Sequence, residues 1–240
     1  MERADLQRAG VHGHVRDEHF LDLVPLADSL IRNASPSSFP YIDSLLFGEW
    51  FNYAGNFGHG SEAYWLTEIS GIPFGLFNDM LGEPYPANPW KGMSFGMVPR
   101  YGAVTGGGQT NNTAMWRAWD ELALTNATMY GWWNRSSPVR LLPAGSATSC
   151  EKVFATAYVV SGVRIVISIA SWSEQTVEAN CTLKINWHGL GFPDDNAANA
   201  SFAAPQIAGF QNVTRFGPAT PIPVRSSEGW LLVVEPDAGT

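Results

Sequence analysis

Positive charge is scarce in this 240-residue sequence: 14 Lys and Arg stand against 22 Asp and Glu, a formal net charge of -8 at pH 7. A nucleic-acid ligand needs a basic face that displaces its counterions, so the charge balance excludes nucleic acid as a partner. Long apolar runs are missing too. The longest, Val153 to Ala170, is broken by Ser161, Gly162 and Arg164, whereas a membrane-crossing helix needs about 20 consecutive apolar residues. No membrane span is therefore expected. No block of like charges marks a solvated tail, and no internal repeat is visible. Cysteine is nearly absent, with Cys150 and Cys181 alone. In an oxidising compartment these two would form one disulfide, but spacing leaves the pairing open. On the outer strands of one flat three-stranded meander they would lie about 9.6 Å apart, beyond disulfide reach. A bond requires either that Cys150 lie off the strand or that the two strands be neighbours.

Asparagine chemistry is plentiful. The N-x-Ser/Thr pattern occurs at Asn33, Asn111, Asn126, Asn134, Asn180, Asn199 and Asn212, seven of the fourteen Asn. Chance would supply about two. The enrichment predicts a glycoprotein of the secretory route, secreted or lumenal. A secretory chain should open with a basic and then an apolar stretch. This one opens Met-Glu-Arg-Ala-Asp-Leu-Gln-Arg-Ala-Gly, so the sequence reads as the C-terminal fragment of a larger protein.

Hydrophobic residues make up 45% of the chain, enough to bury a core. Residues 1 to 143 alternate strand-like and helix-like pieces. Leu6 to His14 reads as a strand, Phe20 to Ile31 as a helix, Tyr41 to Glu49 as a strand and Ser61 to Ile69 as a helix. Phe74 to Leu81 resumes as a helix after Pro73, and Met93 to Val98 is a short strand-like run. Thr113 to Leu124 is a helix with Met115, Trp116, Trp119 and Leu122 turned inward, and Met129 to Trp133 is a last short strand. The alternation argues for parallel α/β architecture. Ser136 to Ser149, carrying Pro138, Pro143 and Gly145, reads as a junction. Beyond it the period becomes two. Val153 to Val160, Ser161-Gly162 and Val163 to Trp172 read as a hairpin; Val177, Ala179, Cys181, Leu183, Ile185 and Trp187 share one face of a strand. Pro221 to Arg225 and Gly229 to Glu235 close the set. The expected fold class is α/β: part of a (β/α) barrel over 1–143, then an antiparallel β-sandwich over 150–240.

Chemistry concentrates at residues 41 to 53. The apolar run Ile42 to Phe47 stops at Gly48, Glu49 follows, and Trp50 and Tyr53 open a loop rich in Gly and Asn. An acid at the C-terminal end of a barrel strand, with aromatic rings beside it, suits work on a glycosidic oxygen while a ring stacks on a pyranose face. His12 and His14 lie two apart, hence on one side of their strand. With no pattern of further ligands to complete a metal site, they read as contacts to sugar hydroxyls; neither a metal nor another cofactor is expected. Trp90 is a candidate sugar platform, and Arg100 could clamp a carboxylate.

The segments Phe39-Pro40-Tyr41-Ile42-Asp43-Ser44-Leu45-Leu46-Phe47-Gly48-Glu49, Ser70-Gly71-Ile72-Pro73-Phe74-Gly75-Leu76 and Asn88-Pro89-Trp90-Lys91-Gly92-Met93 resemble those of large secreted glycoside-hydrolase-like proteins related to glycoside hydrolase family 123. The resemblance covers most of the chain and is strongest from 39 to 100. It implies a catalytic barrel followed by a small sandwich, a carbohydrate substrate, and an acid at Asp79. Glycosidases commonly set two carboxyls about 5 to 9.5 Å apart around the scissile bond, so Glu49 and Asp79 form the expected pair. A protein that keeps the fold and binds carbohydrate without cleaving it is the alternative reading.

Overall fold

The computed structural model describes residues 44–45, 62–66, 70, 77–78, 80–81, 88–97, 99–101, 112–144, 150–160, 163–173, 178–190, 192 and 200–235. They fall into two compact units, Met1–Ala87 with Gly96–Gly107, and Asn88–Phe95 with Gly108–Thr240. Among the described residues no helix is long and apolar enough to cross a membrane.

The first unit contains parallel pairs. β1 (Ser44–Leu45) pairs in parallel with β2 (Phe77–Asn78), and β3 (Met80–Leu81) with β4 (Pro99–Tyr101). A parallel pair needs a crossover connection between its strands, and α1 (Glu62–Tyr64) lies in sequence between β1 and β2. β1 falls inside the strand expected over Tyr41 to Glu49. Trp65 is buried just after α1, and Ser70 closes the segment by donating from its backbone to the Trp65 carbonyl and from its hydroxyl to the Leu66 carbonyl, each at 2.8 Å. The helix expected over Phe74 to Leu81 is corrected: β2 and β3 occupy that stretch. So short an apolar run fits either period, and Pro73 and Gly75 weaken a helix there. The strands expected over Leu6 to His14 and the helix over Phe20 to Ile31 lie outside the described residues.

The second unit is two antiparallel sheets on one core. The larger sheet has six strands in the order β11, β10, β13, β8, β7, β5. In chain order these are β5 (Thr128–Tyr130), β7 (Val153–Val160), β8 (Arg164–Ser171), β10 (Ser201–Ala204), β11 (Thr214–Phe216) and β13 (Gly229–Glu235). The smaller sheet places β9 (Ala179–Ile185) between β6 (Val139–Pro143) and β12 (Ile222–Val224). Both β5 and β6 precede or overlap the expected junction. Met129 to Trp133 is corrected from a parallel barrel strand to an antiparallel partner of β7, with Met129 opposite Tyr158. Three residues of strand carry too little periodicity to reveal their partner.

β7 and β8 form the expected hairpin, with Ala155 opposite Ile169, Ala157 opposite Ile167 and Val160 opposite Arg164, so that Val163, expected to open the second strand, lies before it. Odd-numbered residues of both strands enter the core with Phe202, Leu232 and Val234, and meet Val139, Leu183, Ile222 and Val224 from the smaller sheet. Along β9, Ala179, Cys181 and Leu183 are buried in strict alternation, followed by Trp187, as their period predicts. Gly229 opens β13 opposite Ala170, where an added Cβ would lie 1.9 Å from the Ile169 carbonyl oxygen; only glycine fits.

The other face of the large sheet is covered as well, so β8 is buried from Ile165 to Ser171. Two helices of the unit reach it, α2 (Pro89–Met93) and α3 (Asn112–Glu121). The Thr156 hydroxyl donates to the Ser94 carbonyl at 2.8 Å, and the Tyr158 hydroxyl to the Met93 carbonyl. Trp119 of α3 meets the Tyr158 ring edge to face. Met115, Ala118 and Leu122 are buried. Trp116, expected inward, is instead 44% exposed, because it sits roughly a third of a turn off the stripe formed by 115, 118 and 122. The strand-like run Met93 to Val98 is also corrected, since Met93 ends α2 and 94–96 is a turn. Asn88 and Pro89 decide this locally: the Asn88 side chain accepts from the Lys91 N–H at 3.0 Å, and Pro89 supplies a first helical residue that needs no acceptor.

Cys150 and Cys181 form a disulfide with Cα atoms 6.0 Å apart. Cys150 lies in the turn before β7, off any strand, and Cys181 lies in β9 of the other sheet. The bridge thus ties the two sheets together. It closes a separation of 31 residues, for which chain entropy gives about 3 to 4 kcal/mol of stabilisation. Denaturant unfolding of the Cys150→Ala/Cys181→Ala chain should show a loss of about that size. A midpoint identical to that of the oxidised parent would refute it.

Candidate functional site

Of the residues singled out in the sequence, Glu49, Asp79, His12, His14, Trp50 and Tyr53 lie outside the described residues. Arg100 belongs to β4, where the backbone register sets Pro99 beside Met80 and Tyr101 beside Leu81. Among the described residues no group of three or more His, Cys, Asp or Glu could hold a metal ion. Trp90 is the one candidate whose surroundings can be built up in full.

Trp90 sits on α2, and α2 is placed by Asn88. Its carboxamide oxygen caps the helix, while its amide nitrogen donates to the Ser227 carbonyl at 3.3 Å. Ser227 has a φ of 58°, the left-handed residue of the turn joining β12 to β13. Asn88, buried itself, therefore fixes α2 against that turn. Lys91, also buried, holds its ammonium 5.5 Å from the centre of the Trp172 ring. With the helix so fixed, the half-buried Trp90 ring stacks on Phe210, centroids 3.6 Å apart and planes 26° from parallel.

Phe210 comes from a turn that is closed on itself. Ile207 and Gln211 form a β-bridge, and Gly209 supplies the positive φ of 73° between them. The buried Gln211 side chain locks this turn onto β13: its amide donates to the Pro205 carbonyl at 2.8 Å and the Leu231 carbonyl at 3.0 Å, and its oxygen accepts from the Leu231 N–H at 2.9 Å. Trp230 is oriented by its indole N–H, which donates to the Pro223 carbonyl at 2.6 Å, and by an edge-to-face contact with Phe216.

Trp90, Phe210 and Trp230 line a cavity of about 340 Å³ together with Glu178, Arg225 and Glu228. The volume is within the range of small-molecule sites, about 300 to 1,000 Å³. Arg225 and Glu178 pair at 3.3 Å, with their side chains 71% and 41% exposed. A pair so exposed contributes about 0 to 1 kcal/mol to stability, leaving it available to a ligand. Aromatic rings and charged hydrogen-bonding groups together make the lining of this cavity amphipathic.

Two family models match the sequence. The TIM-barrel domain of glycoside hydrolase 123 matches residues 28–102, and the C-terminal domain of glycoside hydrolase 123 matches residues 111–235, more than half of the chain. The chain belongs to glycoside hydrolase family 123. Searches of curated proteins and of solved structures found no match. The C-terminal match of family 123 takes in α3, β5 and β6 together with both sheets. The barrel match takes in Trp90, which packs within the second unit. Sequence reading missed Phe210, Arg225 and Trp230. The only local signal was Phe210-Gln211-Asn212-Val213-Thr214, an aromatic two residues ahead of an N-x-Thr asparagine.

Asn88→Ala should lower the melting temperature, with a loss of about 1 to 2 kcal/mol from the cap alone. Asn88→Asp keeps the capping oxygen and loses the donor to Ser227, so it should fall between the two. Equal melting of Ala variant and parent would show that α2 is held without Asn88.

Proposed function

We propose that the chain is part of a glycosidase acting on a carbohydrate, with Glu49 and Asp79 as its carboxyl pair. The family 123 barrel match over 28–102 carries this reading, because it spans both acids. Support comes also from β1, a strand of a parallel pair ending four residues before Glu49. Strand ends of that kind deliver catalytic groups in barrels. One carboxyl protonates the departing glycosidic oxygen, and the other attacks the anomeric carbon or activates water. His12, His14, Trp50 and Tyr53 serve as the sugar contacts of that centre and Arg100 as a clamp for an acidic substituent, while Trp90, in the second unit, is a ring platform apart from it. In the full-length protein, Glu49→Gln should reduce sugar release by about 100-fold or more without changing the unfolding transition. Turnover at the parental rate would remove Glu49 from the chemistry and favour the non-catalytic, carbohydrate-binding alternative.

The same reading takes the protein to be secreted or lumenal and glycosylated. Asn126, Asn134 and Asn212 are exposed, as an acceptor must be. Asn180 differs: it is half-buried on the central strand β9, next to the disulfide, and its carbonyl accepts from Ala144 N–H at 2.9 Å. Produced through a eukaryotic secretory route, the chain should carry glycans at Asn126, Asn134 and Asn212 and none at Asn180. Peptide mapping after glycan removal reads this out, and bare asparagine at all three exposed positions would overturn it.

A further inference from the structure

We propose that Asn180 is a conditional glycosylation site whose use is decided by the Cys150–Cys181 disulfide. Closed early, the bridge keeps the Asn180-Cys181-Thr182 acceptor unmodified; left open, it exposes Asn180 to glycan transfer. The proposal rests on the secretory reading and adds to it a rule for one site.

Three observations carry it. First, the acceptor and the bridge share one strand. Asn180 and Thr182 flank Cys181 on β9, on the face turned away from the core, and each is only half-buried. Burial alone therefore does not exclude a glycan. The paired backbone does, since a transferase must bend the acceptor to bring the Thr hydroxyl to its asparagine. The Thr182 hydroxyl instead donates to the Leu142 carbonyl at 3.4 Å, and the Asn180 carbonyl accepts from the Ala144 N–H at 2.9 Å. Second, the chain is made from its N-terminus. β6 precedes Asn180, whereas β12, the other neighbour of β9, follows it. Transfer to a nascent chain finds β6 and Cys150 present and β12 absent. Two paired strands alone are marginal in water, so pairing with β6 needs the covalent tie. Third, the fold brings Cys150 towards Cys181 early. β7 and β8 lie wholly between the two cysteines. Their hairpin returns the chain to its start: Val153 is opposite Ser171, and the Trp172 N–H donates to the Lys152 carbonyl at 2.7 Å. A hairpin forms in about 1 to 10 μs, far faster than synthesis at about 5 to 20 residues per second. The separation of 31 residues is thereby reduced to the short flanks of the hairpin, and a shorter loop costs less entropy to close.

Two reactions compete for this segment. In one, the Cys150 and Cys181 thiols lose two protons and two electrons to a disulfide oxidant of the lumen, which becomes a dithiol. In the other, the Asn180 amide nitrogen bonds to the anomeric carbon of a polyprenyl-diphosphate oligosaccharide. The diphosphate leaves with the electrons of the broken C–O bond, and the amide gives up a proton.

The test produces the full chain behind a cleaved signal peptide in glycosylating cells. Peptide mapping of the total chain, retained and secreted, gives the occupancy of each asparagine. The parent should be occupied at Asn126, Asn134 and Asn212 and bare at Asn180. Cys150→Ser leaves the acceptor intact and should raise Asn180 occupancy about tenfold. A membrane-permeant dithiol given to the parent during synthesis should do the same. Leu232→Ala is the control for instability: it truncates a fully buried side chain of β13, a strand made after Asn180, and should leave Asn180 bare. Asn180 bare in Cys150→Ser while the three exposed sites are occupied overturns the proposal. So does an equal rise in Leu232→Ala, or a glycan on Asn180 in the disulfide-bonded parent. Bare asparagine at all four positions in every chain is a different result, and removes the secretory reading as well.

Discussion

Burial of both faces of the β7–β8–β13 strands is the constraint on which the second unit depends. A sheet in water can leave one face wet, and most antiparallel sheets do. Here Ile165, Ile167 and Ile169 face the smaller sheet, while Val166 and Ala170 on the opposite face are equally buried. Fully burying one such large aliphatic side chain stabilises by about 1.5 to 3 kcal/mol. The exposed Arg225–Glu178 pair is worth about 0 to 1, so apolar burial decides the architecture. Double-sided burial also explains why hydroxyls occur in the middle of the sheet. Thr156 and Tyr158 spend their hydrogen bonds on the Ser94 and Met93 carbonyls at the end of α2. These carbonyls of a helix end would otherwise be buried without partners.

The pocket is a consequence of the same arrangement. A helix of five residues such as α2 cannot persist alone. Hydroxyls from the sheet satisfy its C-terminal end, and Asn88 caps its N-terminal end while also reaching the β12–β13 turn. A side chain on that helix is therefore as well placed as the sheet. Gln211 does the equivalent for the turn carrying Phe210, since all three of its side-chain hydrogen bonds end on backbone groups of Pro205 and Leu231. Buried amides are costly when unsatisfied, so displacing this turn would expose three broken bonds at once.

What the sequence disclosed follows the range of the interaction concerned. The hairpin of β7 and β8 and the inward face of β9 were readable because period-two alternation is local. The Ser161-Gly162 connection marked their boundary. Local spacing does not settle the disulfide, because its reach depends on two sheets facing each other; of the two arrangements compatible with a bond, Cys150 off the strand is the one adopted. Phe74 to Leu81 and Met93 to Val98 were misread, the first as helix and the second as strand. Both are short apolar stretches, in which the period is undetermined and the flanking Pro73 or Asn88-Pro89 carries the information. Membership of the glycoside hydrolase family was legible in short segments between 39 and 100 and in the change of pattern near Pro138. The pocket was not, because its six principal groups come from positions 90, 178, 210, 225, 228 and 230, scattered over four separate stretches of chain.

Identical motifs can also have different fates in one fold. Asn180-Cys181-Thr182 and Asn212-Val213-Thr214 satisfy the same acceptor pattern. The first is stretched along a strand paired on both sides, with Asn180 opposite Pro223 and its neighbour bridged to Cys150. The second leaves the turn closed by the Ile207–Gln211 bridge, where Asn212 is exposed. Enzymatic attachment needs the asparagine and its flanking backbone to be presented outside the sheet, which β9 forbids and the turn permits. The turn is itself rigid: the Gln211 side chain ties it to the Pro205 and Leu231 backbone by three hydrogen bonds, so Asn212 leaves the sheet from a fixed position.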